Sequence, residues 1–255
     1  MSLYVEQRGA GPDLVLLHGW GFHSGVWFPL AERLAAHFRV TLVDLPGHGR
    51  SDPLPQGGQL VAVAEAVKKV APPQAIWMGW SLGGLVALQV AINYPLQVKK
   101  LVLAASTPRF VTAPDWPWAV APEVLTAFGE ALQADLTATL KRFVWLQTRG
   151  AEQAKAVAQA LLTQLTPAHH SGREGLVAGL ALLKNSDLRV NLATVSCPTL
   201  MVLGQRDTLV PAKVGDWLSA QLPQAQVGII PGAGHVPFLS HQQAFGDILQ
   251  PFLEI

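Results

Sequence analysis

The chain has 255 residues, half of them apolar (50%), and a formal net charge of +1 at pH 7. That length suffices for one large core with an insertion, and near-neutrality leaves no sequence-wide attraction for nucleic acid or for a membrane surface. A single cysteine, Cys197, excludes an internal disulfide, no ligand set for a metal stands out, and residues 1–6 lack the basic-then-apolar pattern of an export signal; the expectation is a cytoplasmic monomer without metal or cofactor.

In chain order, Leu14-Val15-Leu16-Leu17 is a continuous apolar run that predicts a strand buried on both faces. It ends in His18-Gly19-Trp20-Gly21, a glycine-rich loop able to offer a backbone amide, that of Trp20, to a developing oxyanion; His18 is expected to tie the loop down. Trp27, Leu30 and Leu34 recur at helical spacing, predicting an amphipathic helix over 24–37. A strand over 40–43 then runs into Asp44-Leu45-Pro46-Gly47-His48-Gly49-Arg50-Ser51-Asp52, a loop whose own backbone Asp44 and His48 are expected to hold. Residues 60–70 read as a helix.

From Gln74 to Val98 no residue is charged, and a hydropathy window would score a membrane span. Gly79, Ser81, Gly83, Gly84, Asn93 and Pro95 divide it instead into a buried strand over 75–78 and a buried helix over 82–93, with Gly79-Trp80-Ser81-Leu82-Gly83 at the corner. A serine at such a corner has its hydroxyl exposed and the next amide, Leu82 N–H, beside it, while flanking glycines relieve backbone crowding. Another strand follows over 98–104. Strands alternating with helices imply a mostly parallel, doubly covered sheet, an α/β fold.

The rhythm changes over 108–187, where four helical segments (122–133, 135–147, 152–165 and 172–184) follow one another behind the cluster Ala113-Pro114-Asp115-Trp116-Pro117-Trp118. This predicts a helical cap inserted into a core made of 1–107 and 188–255. The α/β pattern resumes with a strand over 198–204, a helix ending near 222, a strand over 227–230 and a helix from 242.

An activated serine needs a base and an orienting carboxylate, which in this class sit on loops after late strands in the order Ser, Asp, His. Asp207 and His235 occupy such loops. Asp187 is the rival carboxylate, placed less well at the end of the cap, and His23, His37, His169, His170 and His241 read as ordinary histidines.

The corner Gly79-Trp80-Ser81-Leu82-Gly83-Gly84, the loop His18-Gly19-Trp20-Gly21, the segment 44–51 and the ending Gly232-Ala233-Gly234-His235 together resemble the α/β-hydrolase superfamily, over nearly the whole chain. More narrowly, residues 16–21, 75–87 and the cap stretch Arg142-Phe143-Val144-Trp145-Leu146-Gln147-Thr148 are similar to the pimeloyl-[acyl-carrier protein] methyl ester esterase family of biotin synthesis. The resemblance implies a serine carboxylesterase with the triad Ser81, Asp207 and His235. It implies substrate contacts from Trp20, Ser81, Leu82, Phe143, Val144, Trp145, Leu146, Gln147 and His235, and an acyl-carrier protein as partner. Residues 151–170 match no family pattern. The residues themselves agree with an acyl substrate: 143–146 offer an apolar lining, and over 136–160 four basic residues, Lys141, Arg142, Arg149 and Lys155, stand against one acid, Glu152, a patch suited to an acidic carrier. A general short-chain carboxylesterase, a C–C bond hydrolase and a non-catalytic binding protein on the same scaffold are the alternatives.

Overall fold

The computed structural model describes residues 1–54, 58–165 and 172–255; His169 and His170 lie outside the described residues. Among the described residues seven strands form one sheet in the order β1-β3-β2-β4-β5-β6-β7: β1 Val5–Arg8, β2 Asp13–Leu17, β3 Arg39–Val43, β4 Ala75–Trp80, β5 Val98–Ala104, β6 Thr199–Gly204 and β7 Ala225–Ile230. All neighbours are parallel except β1, which pairs antiparallel with β3 from Val5↔Val43 to Arg8↔Val40. Every residue of β4 and β6 is buried, as continuous apolar runs require of strands covered on both faces. β1 carries no sequence signal, because Val5-Glu6-Gln7-Arg8 is a half-buried edge with too few apolar side chains to stand out.

Helices α1 Phe28–Leu34, α2 Leu60–Val70 and α3 Leu82–Asn93 fall among the first five strands in chain order; α3 packs on β2, β4 and β5, and α2 packs on α3. The helix expected over 24–37 divides: Ser24–Trp27 is a 3-10 turn, and Pro29, which has no N–H to donate, falls in the first turn of α1 rather than inside a longer helix. In α3 the ten residues from Leu82 to Ala91 are all buried. An apolar helix with no polar face is a core helix here, and among the described residues no helix is long and apolar enough to cross a membrane.

Between β5 and β6, among the described residues, lie four helices, α4 Pro122–Ala134, α5 Leu136–Thr148, α6 Ala154–Gln164 and α7 Arg173–Asn185, where the sequence led to the expectation of a cap. Asp135 separates the first two and caps α5 by accepting Ala138 N–H at 2.9 Å. α5 packs between α4 and α6, and α4 also meets α7. The expected start of α6 at 152 moves to 154, since Gln153 adopts a left-handed conformation with φ 58°. Helices α8 Val214–Gln221, α9 Pro237–Ser240 and α10 Gln242–Leu253 complete the core.

The chain leaves β2 for β3 on one side and later enters β4 on the other. The loops after β2 and β4 therefore diverge at the carboxyl edge of the sheet, the place where open α/β sheets bind ligands.

Candidate active site

Ser81 stands at the end of β4 with φ 53° and ψ −116°, a conformation that few residues other than glycine adopt. Hydrogen bonds on every side impose it. Its N–H donates to Ala104 O at 3.0 Å, and its carbonyl accepts Gly84 N–H at 3.0 Å, Leu85 N–H at 3.1 Å and the Ser106 hydroxyl at 2.8 Å. A Cβ on Gly79 would strike the Gly83 backbone, and one on Gly83 would strike the carbonyls of Leu17 and His18, so both flanking glycines are steric necessities.

The loops after β6 and β7 bring the other two groups to the serine. His235 Nε2 lies 2.9 Å from Ser81 Oγ, and His235 Nδ1 lies 2.7 Å from Asp207 Oδ2. Asp207 Oδ1 accepts Leu209 N–H at 2.8 Å and Val210 N–H at 3.0 Å, which fixes the carboxylate and leaves Oδ2 for the imidazole. The Asp207 side chain is fully buried, and Ser81 and His235 are 6% and 1% exposed. A hydroxyl, an imidazole and a carboxylate in this line can pass the serine proton to the imidazole while the carboxylate holds the ring's other N–H.

Trp20 and Leu82 flank the serine on the loop after β2 and at the start of α3. Among the described residues neither backbone N–H has a hydrogen-bond partner. The Trp20 ring is buried: its indole N–H donates to Leu176 O at 2.8 Å, and it meets Phe143 edge-on at 4.7 Å, so α7 and α5 of the insertion both close on it.

The stretch 143–147 does not face one way. Phe143, Val144 and Gln147 are buried, Leu146 is partly so, and Trp145 is 49% exposed. Among the described residues the Gln147 amide, though buried, has a partner for neither its oxygen nor its nitrogen. Its backbone carbonyl accepts His235 N–H at 3.1 Å. Lys141, Arg142, Arg149 and Lys155 are all exposed. Arg142 and Arg149 line a groove of about 490 Å³ with Phe128, Trp145 and Leu146.

The remaining polar candidates have structural partners. Asp44 accepts the N–H groups of Ser24 at 2.7 Å and Arg50 at 3.0 Å; burial opposes its charge, but the His18 ring and these hydrogen bonds outweigh that and hold it at about 2. His18 donates Nδ1–H to Gly19 O at 2.8 Å and accepts Leu45 N–H on Nε2 at 2.9 Å, and burial pushes it down to about 3. His48 is likewise buried and pushed down to about 4. Asp187 is bound by Arg109 at 2.6 Å and Arg189 at 2.8 Å, and those arginines, foremost the hydrogen bonds from Arg189, hold it at about 2.

Sequence reasoning had no signal for three contacts made here by Ser106, by Trp80, whose indole N–H donates to His235 O at 2.7 Å, and by the Gln147 carbonyl. Each depends on partners distant in the chain.

Residues 14–248 match the family model described as the alpha/beta hydrolase family. The chain is 46% identical over 255 residues to the pimeloyl-[acyl-carrier protein] methyl ester esterase of Xanthomonas campestris pv. campestris (strain B100), covering 98% of each. It is 43% identical to the protein of that name from Yersinia enterocolitica, covering 99% of this chain and 98% of the relative. Among solved structures it is similar to an esterase from Exiguobacterium antarcticum, with a TM-score of 0.89 at 24% identity over 99% and 96% of the two chains. A hydrolase from Pseudomonas aeruginosa PA01 matches with a TM-score of 0.81 at 28% identity, covering 99% of this chain and 94% of that one.

Proposed function

We propose, since the chain belongs to the alpha/beta hydrolase family, that it is a serine carboxylesterase hydrolysing the methyl ester of pimeloyl-[acyl-carrier protein] to pimeloyl-[acyl-carrier protein] and methanol, in biotin biosynthesis. The observation that carries this is the unbroken line Ser81 Oγ, His235 Nε2, His235 Nδ1, Asp207 Oδ2 at 2.9 and 2.7 Å, in a chain 46% identical to an esterase of that name.

In this reading Ser81 Oγ attacks the ester carbonyl carbon as His235 Nε2 takes the hydroxyl proton, and Asp207 holds the imidazolium that forms. The carbonyl oxygen gains the negative charge. The free N–H groups of Trp20 and Leu82 suit it as donors, already ordered before reaction. Collapse expels methanol, which leaves with the proton from His235, and an acyl-enzyme remains on Ser81. Water then attacks, giving its proton to His235, and the second tetrahedral species releases the free acid and restores the serine.

Substrate selection follows from the insertion. Phe143 against Trp20 gives an apolar wall, and the unpartnered buried amide of Gln147 is a polar group for the substrate to meet. A neutral methyl ester enters such a site more readily than the carboxylate it becomes, which must give up hydration, so the product is expelled. The exposed Lys141, Arg142, Arg149 and Lys155 form the carrier-docking face, and the groove lined by Arg142, Arg149 and the half-exposed Trp145 supports that assignment.

The test compares turnover of the methyl ester on carrier protein with the free methyl ester and with an ene-diketo substrate, and adds a serine-directed fluorophosphonate. A higher kcat/KM on the carrier-borne ester and a single adduct on Ser81 are expected. Equal turnover of free and carried esters would reduce the reading to a general carboxylesterase, and an adduct elsewhere would remove Ser81 as nucleophile.

A further inference from the structure

Among the described residues Trp20, Trp27, Trp77, Trp80 and Trp116 have fully buried rings, yet their indole N–H groups fare differently: those of Trp20 and Trp116 donate to the carbonyls of Leu176 and Arg109. Those of Trp27 and Trp77 have no partner among the described residues, whereas that of Trp80 donates to the His235 carbonyl at 2.7 Å, across 155 positions of sequence. Trp80 is also the residue immediately before Ser81. Its ring is wedged between the two loops that flank the serine. On one side a Cβ at Gly19 would come within 2.8 Å of its Cε3, and Phe22 lies 5.2 Å away; on the other stand the His235 ring at 5.9 Å and Phe238 at 5.3 Å.

The histidine loop needs such a hold. It contains Gly232, in a left-handed conformation with φ 74°, and Gly234, so its own backbone preferences restrain it little. Two hydrogen bonds fix the peptide groups on either side of the His235 Cα: the N–H goes to Gln147 O at 3.1 Å, and the carbonyl receives Trp80 Nε1–H. The direction of the imidazole follows from them, and a misplacement of about 1 Å between base and nucleophile costs roughly 100-fold in rate.

We propose that Trp80 is a positioning residue for the reaction: its indole N–H anchors the His235 carbonyl to the strand that carries Ser81, and so sets the imidazole between Ser81 and Asp207. This rests on His235 being the general base.

Trp80→Phe keeps an aromatic ring and removes the donor, leaving a buried carbonyl without its partner. With a p-nitrophenyl ester, kcat is expected to fall roughly 10-fold with KM within about 2-fold, because the pocket is kept while the base is loosened. Fluorophosphonate inactivation should slow in parallel. The far-downfield proton resonance of the His235 Nδ1–H should shift or broaden, a signature that a loss of packing elsewhere would not move. Trp77→Phe, which removes an unpartnered donor from the middle of the same strand, should leave all of these unchanged.

A folded Trp80→Phe protein with kcat within 2-fold of the parent, or with the loss confined to KM, overturns the proposal. If that variant does not fold, site-specific replacement of Trp80 by the benzothienyl analogue, which has sulfur in place of the N–H and the same two-ring outline, is judged by the same two results. Ser81→Ala and His235→Ala separate the levels: activity surviving in either removes the triad reading itself, whereas their inactivity beside an unaffected Trp80→Phe removes only the role of Trp80.

Discussion

Ser81 is the one residue of the elbow that is strained without being glycine, and φ 53° with ψ −116° costs on the order of 1–3 kcal/mol. The hydrogen bonds to Ala104, Gly84, Leu85 and Ser106 outweigh that cost and point the hydroxyl at His235. Replacing the hydroxyl or the imidazole therefore removes chemistry and leaves the scaffold. Ser81→Ala and His235→Ala are each expected to lower kcat by roughly 10⁵–10⁶-fold, and Asp207→Asn by about 10⁴-fold, with thermal unfolding little changed. Near-normal esterase activity in Ser81→Ala would dismiss the acyl-enzyme route. The three residues were legible in the sequence because each has a local sign: glycines around a serine at a strand end, and an acid and a base just past later strands. Trp80 had none. Nothing in the neighbourhood of Trp77 and Trp80 says which indole will meet a carbonyl, because the carbonyl belongs to a loop folded in from the end of the chain.

At the scale of one element, α5 shows why a five-residue stretch cannot be one surface. At 3.6 residues per turn, Phe143, Val144 and Gln147 turn inward while Trp145 turns out to the groove it shares with Arg142 and Arg149. If that outer face receives the carrier, Arg142→Glu combined with Arg149→Glu should lower kcat/KM for the carrier-borne ester by about 10-fold or more and leave a small ester within about 2-fold. Raising salt should act in the same direction, since exposed charges are screened within roughly 8–10 Å. Equal losses on both substrates would indicate damage to the cap instead. The two ends of the insertion are joined by Asp187, which holds Arg109 at 2.6 Å and Arg189 at 2.8 Å, while Arg189 also reaches Asp115 at 2.9 Å. Asp187→Asn should destabilise the protein by about 1–2 kcal/mol, read from urea midpoints, because two largely shielded arginines lose their shared partner. It should leave kcat within about 2-fold, the opposite of Asp207→Asn, and a large loss of kcat would return Asp187 to contention as the orienting carboxylate. The helices between β5 and β6 were legible in the sequence to within one or two residues at each end, but not the faces they present, which follow from packing among helices rather than from any one of them.

For the whole molecule the mostly parallel character of the sheet and its buried strands could be read from apolar runs alternating with helices, whereas the strand order, β1 and the break before α1 could not, as an edge strand and a 3-10 turn carry little apolar signal. The same core makes stability depend on pH. His18 and His48 are buried and neutral, with values pushed down to about 3 and about 4, while in the unfolded chain each titrates near 6.5. Between these limits the unfolded state binds more protons, so the contribution is complete above roughly pH 7.5 and is lost as pH falls through 6.5 towards 3–4. Asp44, held at about 2, adds a further loss below roughly pH 4, when the unfolded carboxyl takes its proton first. Near pH 5 unfolding should take up about two protons from the histidine pair, measured as the slope of unfolding free energy against pH, and His48→Gln should cut that uptake by about one. A flat profile from pH 7 to 4.5 would contradict neutral burial of the pair.

The hydrogen bond from His235 N–H to the carbonyl of Gln147 joins the base to the last turn of a cap helix, and a second, from Glu152 N–H to Gly232 O at 2.9 Å, fastens the turn after that helix to the same loop. Cap and catalytic loop are therefore interlocked. A cap that swings out far enough to pass a bulky acyl group must undo at least one of these latches, and in doing so it slackens the histidine. In such a movement access and reactivity would be opposite phases, the line from Ser81 through His235 to Asp207 being complete while both latches hold.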